Sequence, residues 1–149
     1  MTKVIIAGAS GRMGRRIGFM VNEHNDLQVT GGFELPDNPN VGKDLGELGG
    51  YGSVGATVSS SLEAIIDQGD VIVDFTFHEA TMNIARIAAK HQKAMVIGTT
   101  GLTPDNLTEL TELAKNFPCV QAPNMAVGVN VLFKVARKMA SVLDRKSVV

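Results

Sequence analysis

Short apolar runs of strand length alternate with segments of helical periodicity along almost the whole chain. The first run covers residues 4–7 and stops at Gly8, as a buried parallel strand does. The next segment has apolar residues at the spacing of one helical face: Met13, Ile17, Met20 and Val21. Strands that alternate with helices form βαβ units, in which helices cover a parallel sheet on both faces. The sequence therefore predicts an α/β fold, a Rossmann-like, doubly wound parallel sheet in a single domain.

The same alternation continues to the end of the chain. Further strands are predicted over residues 27–33, 71–75 and 94–97 and around Val120. A helix is predicted around Ile84, another from Thr103 with Pro104 at its first position, and a last one from about residue 129 to residue 143. A capping-box pattern from Ser60 to Glu63 predicts one more helix start.

Residues 42–55 break the alternation, because they include six glycines and no long apolar face. This pattern predicts a flexible loop with a short turn of helix over residues 44–48. A loop of this length in a compact domain is either functional or mobile. The sequence leaves both possibilities open.

Composition excludes several classes of protein. The chain has 149 residues with 14 Lys and Arg against 15 Asp and Glu, and this near-neutral balance argues against a nucleic-acid partner. No run of about 18 apolar residues occurs, so no membrane helix is predicted. The single cysteine, Cys119, allows no intrachain disulfide, which fits a reducing, cytoplasmic location. His24, His78 and His91 show no metal-ligand spacing, and no metal site is predicted.

The turn between the first strand and the first helix has the spacing of a phosphate-binding loop. Gly8, Gly11 and Gly14 follow the pattern G-x-x-G-x-x-G, with Ser10 where the commoner dinucleotide fingerprint has its second glycine. A pyrophosphate needs a tight turn, close backbone N–H groups and a helix N-terminus aimed at it. Glu34 ends the second strand, where a carboxylate accepts hydrogen bonds from the hydroxyls of a bound ribose. Together these residues predict a dinucleotide site.

Three arginines, Arg12, Arg15 and Arg16, crowd the first turns of the helix after this loop. The positive end of a helix dipole disfavours cations there, and a bound anion would relieve that conflict. The alternative is a plain glycine turn with a solvated arginine face. For Arg15 and Arg16 individually, the solvated surface role is the stronger interpretation.

Three further strand ends fall on the same edge of the predicted sheet, and open α/β sheets bind ligands beyond the carboxyl ends of their strands. These ends contain Phe75 and Thr76, then Gly98, Thr99, Thr100 and Gly101, and then Ala122, Pro123, Asn124 and Met125. The hydroxyls and free backbone after Gly98 suit a nicotinamide ribose and amide, and Asn124 is a candidate partner of the carboxamide. Ordinary loop chemistry explains each segment alone. Their coincidence at one edge is what indicates a site.

Other kinds of chemistry find less support. A P-loop lysine is absent, which excludes a P-loop nucleotidase. The only tyrosine, Tyr51, is followed four residues later by Gly55 instead of the lysine that short-chain dehydrogenases need. Cys119 lacks a paired base and is interpreted as a buried thiol. Asp74 is either a satisfied polar group or a catalytic one, and His78 is a weaker candidate for contact with a ligand.

These segments resemble the 4-hydroxy-tetrahydrodipicolinate reductases, or dihydrodipicolinate reductases, of diaminopimelate and lysine biosynthesis. The resemblance rests on residues 5–14, 73–76, 96–101 and 122–130, in this order and spacing. Its most specific parts are the Gly-Thr-Thr-Gly segment from Gly98 and the Asn-x-x-x-Gly-Val-Asn segment from Asn124. The resemblance extends from the first strand to the last helix.

The resemblance implies an NAD(P)H-dependent oxidoreductase that transfers hydride to a cyclic imine dicarboxylate. It assigns the adenine ribose to Glu34 and the nicotinamide half to residues 98–100 and 122–125, and Phe75 is counted among the cofactor-binding residues. The pyrophosphate is assigned to Gly8, Ala9, Ser10, Gly11, Arg12 and Met13. Many relatives have a basic residue after the acidic one, which meets the 2′-phosphate of NADPH. Here Leu35 follows Glu34, so NADH is the expected preference, although Arg12 can compensate for the missing basic residue.

The chain also departs from this family. It has no His-His-x-x-x-Lys motif, which in the family supplies a proton donor and carboxylate ligands from a substrate domain. Residues 1–130 are therefore predicted to form the dinucleotide-binding domain, and residues 131–149 the start of a connection to an absent substrate domain. No catalytic residue is assigned, and little or no reductase activity is expected from the chain alone. The chain is also expected to be less oligomeric than its homotetrameric relatives.

Two other functions stay open. A stand-alone NAD-binding sensor or regulatory module would also lack a substrate domain, but it would not need the nicotinamide-side segments. A different two-domain dehydrogenase of amino-acid metabolism, such as a relative of aspartate or homoserine dehydrogenase, fits the segments after Gly98 and Asn124 less well.

Overall fold

The computed structural model describes residues 1–143 of the chain. Within that range six parallel strands form one sheet in the order β3-β2-β1-β4-β5-β6. The strands are β1 (Thr2–Ala7), β2 (Leu27–Phe33), β3 (Val58–Ser59), β4 (Val71–Asp74), β5 (Ala94–Ile97) and β6 (Cys119–Gln121). The helices are α1 (Arg12–Asn22), α2 (Leu45–Gly49), α3 (His78–His91), α4 (Pro104–Leu113) and α5 (Val127–Leu143). The order reverses between β1 and β4, which is the Rossmann arrangement, and the predicted fold is confirmed.

Alternate side chains of β1 belong to two separate core layers. Ile5 and Ala7 pack with buried residues of α3 and α4, whereas Val4 and Ile6 pack with buried residues of α1 and α2. All four residues are at most 3% exposed. Because both faces of the strand are buried, its sequence is apolar throughout. The helices therefore cover both faces of the sheet and leave the carboxyl ends of the strands at one edge.

The helix predicted from the capping-box pattern of Ser60 and Glu63 is wrong. The structure has turns there, followed by a single turn of 3-10 helix over Ile66–Gln68. Leu62 and Ile65 are nevertheless buried in the core layer beneath α3. The apolar spacing therefore reflected the burial of these side chains in a series of turns, and not the face of a regular helix.

The sequence pattern also missed the two-residue strand β3, and it overstated the burial of Cys119. β3 pairs in parallel with the end of β2 at one edge of the sheet. Cys119 begins β6 at the other edge and is only half-buried. Partial burial of its thiol raises the pKa of Cys119 above its ordinary value.

The glycine-rich stretch of residues 42–55 folds around the carboxylate of Asp44, the N-cap of α2. This short helix confirms the predicted helical turn. The carboxylate accepts hydrogen bonds at 2.8 to 3.2 Å from five donors, which are the N–H groups of Gly46, Glu47, Val54 and Gly55 and the hydroxyl of Ser53. Leu45, only 3% exposed, anchors the stretch in the core layer that contains α1. The stretch is thus a packed and hydrogen-bonded part of the domain.

Helix α5 contrasts with the other helices, because none of its described side chains is buried. Its exposed apolar residues are Val127, Val131, Leu132, Phe133, Val135, Met139, Val142 and Leu143. None of the helices within residues 1–143 has both the length and the apolar character needed to cross a membrane. The predicted domain boundary at residue 130 falls inside α5, and the last part of the predicted connection, residues 144–149, lies outside the described residues. The division of the chain into domains stays a prediction.

Asp44→Ala should destabilise the domain at neutral pH, because it removes the acceptor that five donors share. The loss of an N-cap alone costs about 0.5–2 kcal/mol, and urea unfolding measures the change. Burial by itself would raise the pKa of Asp44, but hydrogen bonds from Val54, Glu47, Ser53 and Gly55 outweigh it and hold the pKa below its ordinary value. The stabilisation is therefore complete above an ordinary pKa of about 4 and is lost as the pH falls through the lower folded-state value.

Asp37→Ala is the matched control, because Asp37 is exposed and its carboxylate accepts no hydrogen bond from the described residues. The gap in stability between the two variants should narrow at acidic pH. A gap that is absent at neutral pH, or that does not change with pH, would contradict this role of Asp44.

Candidate functional site

A cleft of about 520 Å³ lies at the carboxyl ends of β1, β2 and β4, where the strand order reverses. Its lining includes Gly8 and Gly11 from the turn after β1, Glu34 after β2, and Phe75 after β4. The structure therefore brings together four of the predicted site residues. In an open parallel sheet, this reversal point is the usual position for a ligand.

The turn between β1 and α1 is tight enough to bring the helix against the strand. Gly8 has φ +62°, a value that favours glycine. A Cβ on Gly14 would collide with the carbonyl oxygen of Gly8 and with the backbone of Ala9. Glycine at these two positions therefore lets α1 begin beside the end of β1, as the sequence predicted for Gly14.

The first turn of α1 has backbone N–H groups available for a ligand. The helical hydrogen bonds begin where Arg15 donates to Gly11. Within the described part of the chain, no acceptor is found for the N–H groups of Arg12, Met13 and Gly14. Unpaired donors at a helix N-terminus, together with the helix dipole, form an anion site. The sequence assigned Gly14 only a packing role. The structure adds its N–H group to the donors that are available to a ligand.

Glu34 reaches this turn because the register of β2 against β1 slips by one residue at Thr30. Such a bulge shifts the alternation of every side chain that follows it. Glu34 Oε1 accepts hydrogen bonds from the N–H of Ser10 at 2.8 Å and from its hydroxyl at 2.7 Å. The predicted neighbours are therefore brought together, and the N–H of Ser10 is directed at Glu34.

The three arginines near this turn have different surroundings. Arg15 donates from Nε to the carbonyl oxygen of Ser10 at 2.7 Å. Arg16 lies over the ring of Phe19, 5.1 Å from its centre. Arg12 is exposed, and its side chain forms no hydrogen bond or ion pair with the described residues. Among the three, only Arg12 has a side chain without a contact of these kinds in the described residues.

Asp74 connects three segments at the end of β4 and is completely buried. Its Oδ1 accepts from the N–H of Thr76 at 3.0 Å and from the Thr76 hydroxyl at 2.5 Å, and its Oδ2 accepts from the hydroxyls of Thr81 at 2.5 Å and Thr99 at 3.2 Å. A buried carboxylate is costly unless donors surround it. The arrangement therefore matches the interpretation of Asp74 as a satisfied polar group. It also links the β4 end, α3 and the segment after β5.

The segment after β5 packs against the aromatic ring that follows β4. A Cβ on Gly98 would overlap the ring of Phe75, so only glycine allows this contact. Thr99 is buried and its hydroxyl is engaged by Asp74, which leaves backbone groups as its means of contacting a ligand, whereas Thr100 is exposed. Neither threonine lines the cleft.

Residues 122–125 lie between β6 and α5, outside the lining of the cleft. Asn124 Oδ1 accepts from the N–H of Ala126 at 2.8 Å, so the side chain that was predicted to bind a carboxamide helps to start α5. Asn130 fixes the same segment by donating to the carbonyl oxygens of Asn124 and Ala126, both at 3.0 Å. The contacts predicted for Ala122, Pro123 and Met125 stay predictions.

Sequence reasoning missed the apolar wall of the cleft. It consists of Leu35 and Pro36 after β2, Leu62, and the residues Phe77, Ala80, Ile84 and Ile87 at and within α3. Phe77 is 52% exposed and Leu35 is 62% exposed. The available signal was the helical spacing of Ala80, Ile84 and Ile87. The sequence predicted a helix around Ile84 without assigning any of its residues to a ligand site.

The histidine at the start of α3 and the possible metal ligands were also considered in the sequence. His78 begins α3, and its Nε2 lies 3.0 Å from Glu79 Oε1 at the surface. In the described range, no three His, Cys, Asp or Glu side chains are grouped in a way that would hold a metal ion.

Comparison with known proteins shows the family to which the chain belongs. It matches the family described as "Dihydrodipicolinate reductase, N-terminus" over residues 2–125. It is 60% identical over 143 residues to the 4-hydroxy-tetrahydrodipicolinate reductase of Desulfotalea psychrophila, a match that covers 96% of this chain and 53% of that protein. The chain thus spans about half the length of the curated relatives it matches.

Solved structures agree with the fold. Dihydrodipicolinate reductase from Paenisporosarcina sp. TG-14, with bound dipicolinate, is 28% identical with a TM-score of 0.77, over 94% of this chain and 54% of that one. The WlbA (WbpB) dehydrogenase from Thermus thermophilus, in complex with NAD and α-ketoglutarate, has a TM-score of 0.65 over 93% of this chain and 47% of that one. At 15% identity, the second likeness concerns the fold alone.

Asp74→Asn should destabilise the domain, because an amide cannot accept all four hydrogen bonds that the carboxylate accepts. Leaving a buried donor unsatisfied costs about 1–3 kcal/mol, and urea unfolding provides the comparison. Asp26→Asn is the matched control, since Asp26 is exposed and its carboxylate accepts no hydrogen bond from the described residues. Equal stability of the two variants would refute the role assigned to the buried carboxylate.

Proposed function

The chain belongs to the dihydrodipicolinate reductase family, and from this membership we propose that it is the NAD(P)H-binding half of a 4-hydroxy-tetrahydrodipicolinate reductase. The observation that carries the proposal is the free N-terminus of α1 beside Glu34 in a single cleft. The three free N–H groups of Arg12, Met13 and Gly14 suit an anion, and Glu34 suits neighbouring hydroxyls. A dinucleotide has both an anionic pyrophosphate and ribose hydroxyls.

The pyrophosphate belongs on the turn formed by residues 8–14. The N–H groups at the start of α1 donate to its oxygens, and the helix dipole adds a favourable field. Arg12, whose side chain has no hydrogen bond or ion pair with the described residues, supplies positive charge near the turn. Gly8, Ala9, Ser10, Gly11 and Met13 shape the turn.

The adenosine belongs in the apolar cleft. Glu34 Oε2 accepts from the ribose hydroxyls, since Ser10 engages only Oε1. The adenine packs between Leu35 and the exposed start of α3 at Phe77 and Ala80. A 2′-phosphate would meet the negative charge of Glu34 with no basic residue directly after it, so NADH is preferred to NADPH.

The nicotinamide half belongs along Phe75 and residues 98–100, with residues 122–125 completing its surroundings. The buried Asp74 holds Thr99 in place, so that the backbone after β5 has a fixed position. When bound, the reduced nicotinamide supplies a hydride for a cyclic imine dicarboxylate in diaminopimelate and lysine biosynthesis. The residues of this chain bind and orient the cofactor, and no proton donor for the imine is assigned among them.

The same proposal extends to location and substrate. A biosynthetic reductase that uses a soluble dinucleotide fits the cytoplasm. Its substrate is a small dicarboxylate, which needs the residues of a second domain for binding.

Glu34→Ala should weaken NADH binding about ten- to hundredfold, because a hydrogen bond to a charged group contributes about 1.5–3 kcal/mol. NADPH binding should weaken less or improve, since the repulsion disappears as well. Calorimetric titration of the folded chain with each dinucleotide provides the measurement. Asp37→Ala, three residues away at the surface, is the control and should leave both affinities unchanged. Tighter binding of NADPH than NADH by the unmodified chain would refute the proposed preference.

The 149-residue chain should bind NADH without turning over the imine substrate. Enzymes commonly turn over on the order of 1–10³ times per second, and NADH absorbance detects far slower rates. The reductase of Desulfotalea psychrophila is the positive control in the same assay. Turnover at a comparable rate by the short chain would show that these residues include the proton donor. If binding is found and addition of a separately produced substrate domain restores no activity, the sensor function gains support.

A further inference from the structure

Ser10 stands where the commoner dinucleotide-binding turn has its second glycine. A glycine is common at this place because it lets the backbone approach a pyrophosphate closely. Here the residue has a hydroxyl, and both that hydroxyl and its own N–H donate to one oxygen of Glu34. The turn is therefore bonded to the carboxylate that faces the ribose position.

The direction of the Ser10 hydroxyl is determined by a third side chain. Asn38 Nδ2 donates to Ser10 Oγ at 3.3 Å, so the single hydroxyl proton is left for Glu34. Asn38 is itself held, because its Oδ1 accepts from the N–H of Asn40 at 2.9 Å. On the other side, Arg15 bonds the carbonyl oxygen of Ser10. Ser10 is thus the central residue of a network that connects the β1–α1 turn with the segment after β2.

We propose that Ser10 is a specificity-determining residue, which holds Glu34 in the position that accepts a ribose hydroxyl and rejects a 2′-phosphate. This inference rests on the proposed function. A carboxylate has about four acceptor positions on its two oxygens. Ser10 occupies those of Oε1, and Oε2 stays available for hydroxyl donors.

A bound 2′-phosphate has negative charge and would force Glu34 to move away. That movement breaks both hydrogen bonds from Ser10, whereas NADH binding keeps them. The hydroxyl of Ser10 therefore adds to the penalty against NADPH, whereas it stays bonded to Glu34 when NADH binds. The carboxylate of Glu34 supplies the repulsion of the 2′-phosphate. Ser10 raises the cost of moving that carboxylate away, because the movement breaks its hydrogen bonds to Glu34.

The test is a calorimetric comparison of NADH and NADPH binding by Ser10→Ala, with Ser10→Thr as the variant that keeps the hydroxyl. Ser10→Ala should reduce the preference for NADH over NADPH about three- to tenfold, because only NADPH binding breaks the hydrogen bond that the substitution removes. Ser10→Thr should retain the selectivity of the unmodified chain. Ser141→Ala, on the exposed surface of α5, is the control for loss of a serine hydroxyl.

Ser10→Ala in a Glu34→Ala background distinguishes an effect that acts through Glu34 from a change in the shape of the turn itself. There Ser10→Ala should leave the ratio of the two affinities unchanged, because the carboxylate it positions is absent. A selectivity change of the same size in both backgrounds would overturn the inference, as would equal changes in both affinities in the unmodified background. The inference also fails if Ser10→Ala changes neither affinity.

Urea unfolding without cofactor tests the network independently of the function. Ser10→Ala and Glu34→Ala each remove the hydrogen bond from the Ser10 hydroxyl to Glu34. The losses in free energy of unfolding of the two single variants should therefore add up to more than the loss in the double variant. Strict additivity would overturn the inference. If this coupling is found and the unmodified chain binds neither dinucleotide, the proposed function fails and the specificity role fails with it. If the unmodified chain binds NADH selectively and Ser10→Ala keeps that selectivity, the inference alone fails.

Discussion

The contact between α1 and the turn after β1 is the constraint on which the candidate site depends. Gly14 has no room for a Cβ against the backbone of Gly8 and Ala9, so the helix begins directly at the edge of the sheet. This position places the unpaired N–H groups of the first helical turn beside the cleft. A helix displaced by a larger residue would move those donors and Ser10 away from Glu34 together. One packing requirement thus positions both the anion site and the carboxylate next to it.

Two carboxylates organise opposite sides of the point where the strand order reverses, and both are held by hydrogen-bond donors. Glu34 receives two donors from Ser10, and Asp74 receives four from three threonines. Neither has an ion-pair partner among the described residues. Hydrogen bonds are directional, so they orient a carboxylate more sharply than a distant opposite charge does. Glu34 keeps a free oxygen at the cleft, whereas Asp74 is enclosed and acts on the site through Thr99.

The sequence predicted the fold well because parallel strands buried on both faces are apolar along their whole length. Val4 to Ala7 and the later runs therefore stood out, and the spacing of Gly8, Gly11 and Gly14 located the turn. The pattern failed at Ser60, where apolar side chains are buried from a series of turns and a single 3-10 turn, without a regular helix. It also missed the cleft wall on α3, because a helical stripe of Ala80, Ile84 and Ile87 looks the same whether it faces a core or a ligand.

By itself, the sequence determined the order of the α-helices and of every strand except β3, the glycine turn and the acidic residue that follows β2. These features depend on periodicity and on short-range spacing, which are properties of the linear chain. The tertiary structure alone decided the register slip at Thr30, the bonds from Ser10 to Glu34 and the burial of Asp74 beneath Thr99. Those contacts join residues that are 24 or 25 positions apart in the chain. Their formation depends on how strands pair and helices pack, because hydrogen bonds require distances and angles that no pattern of residue types specifies.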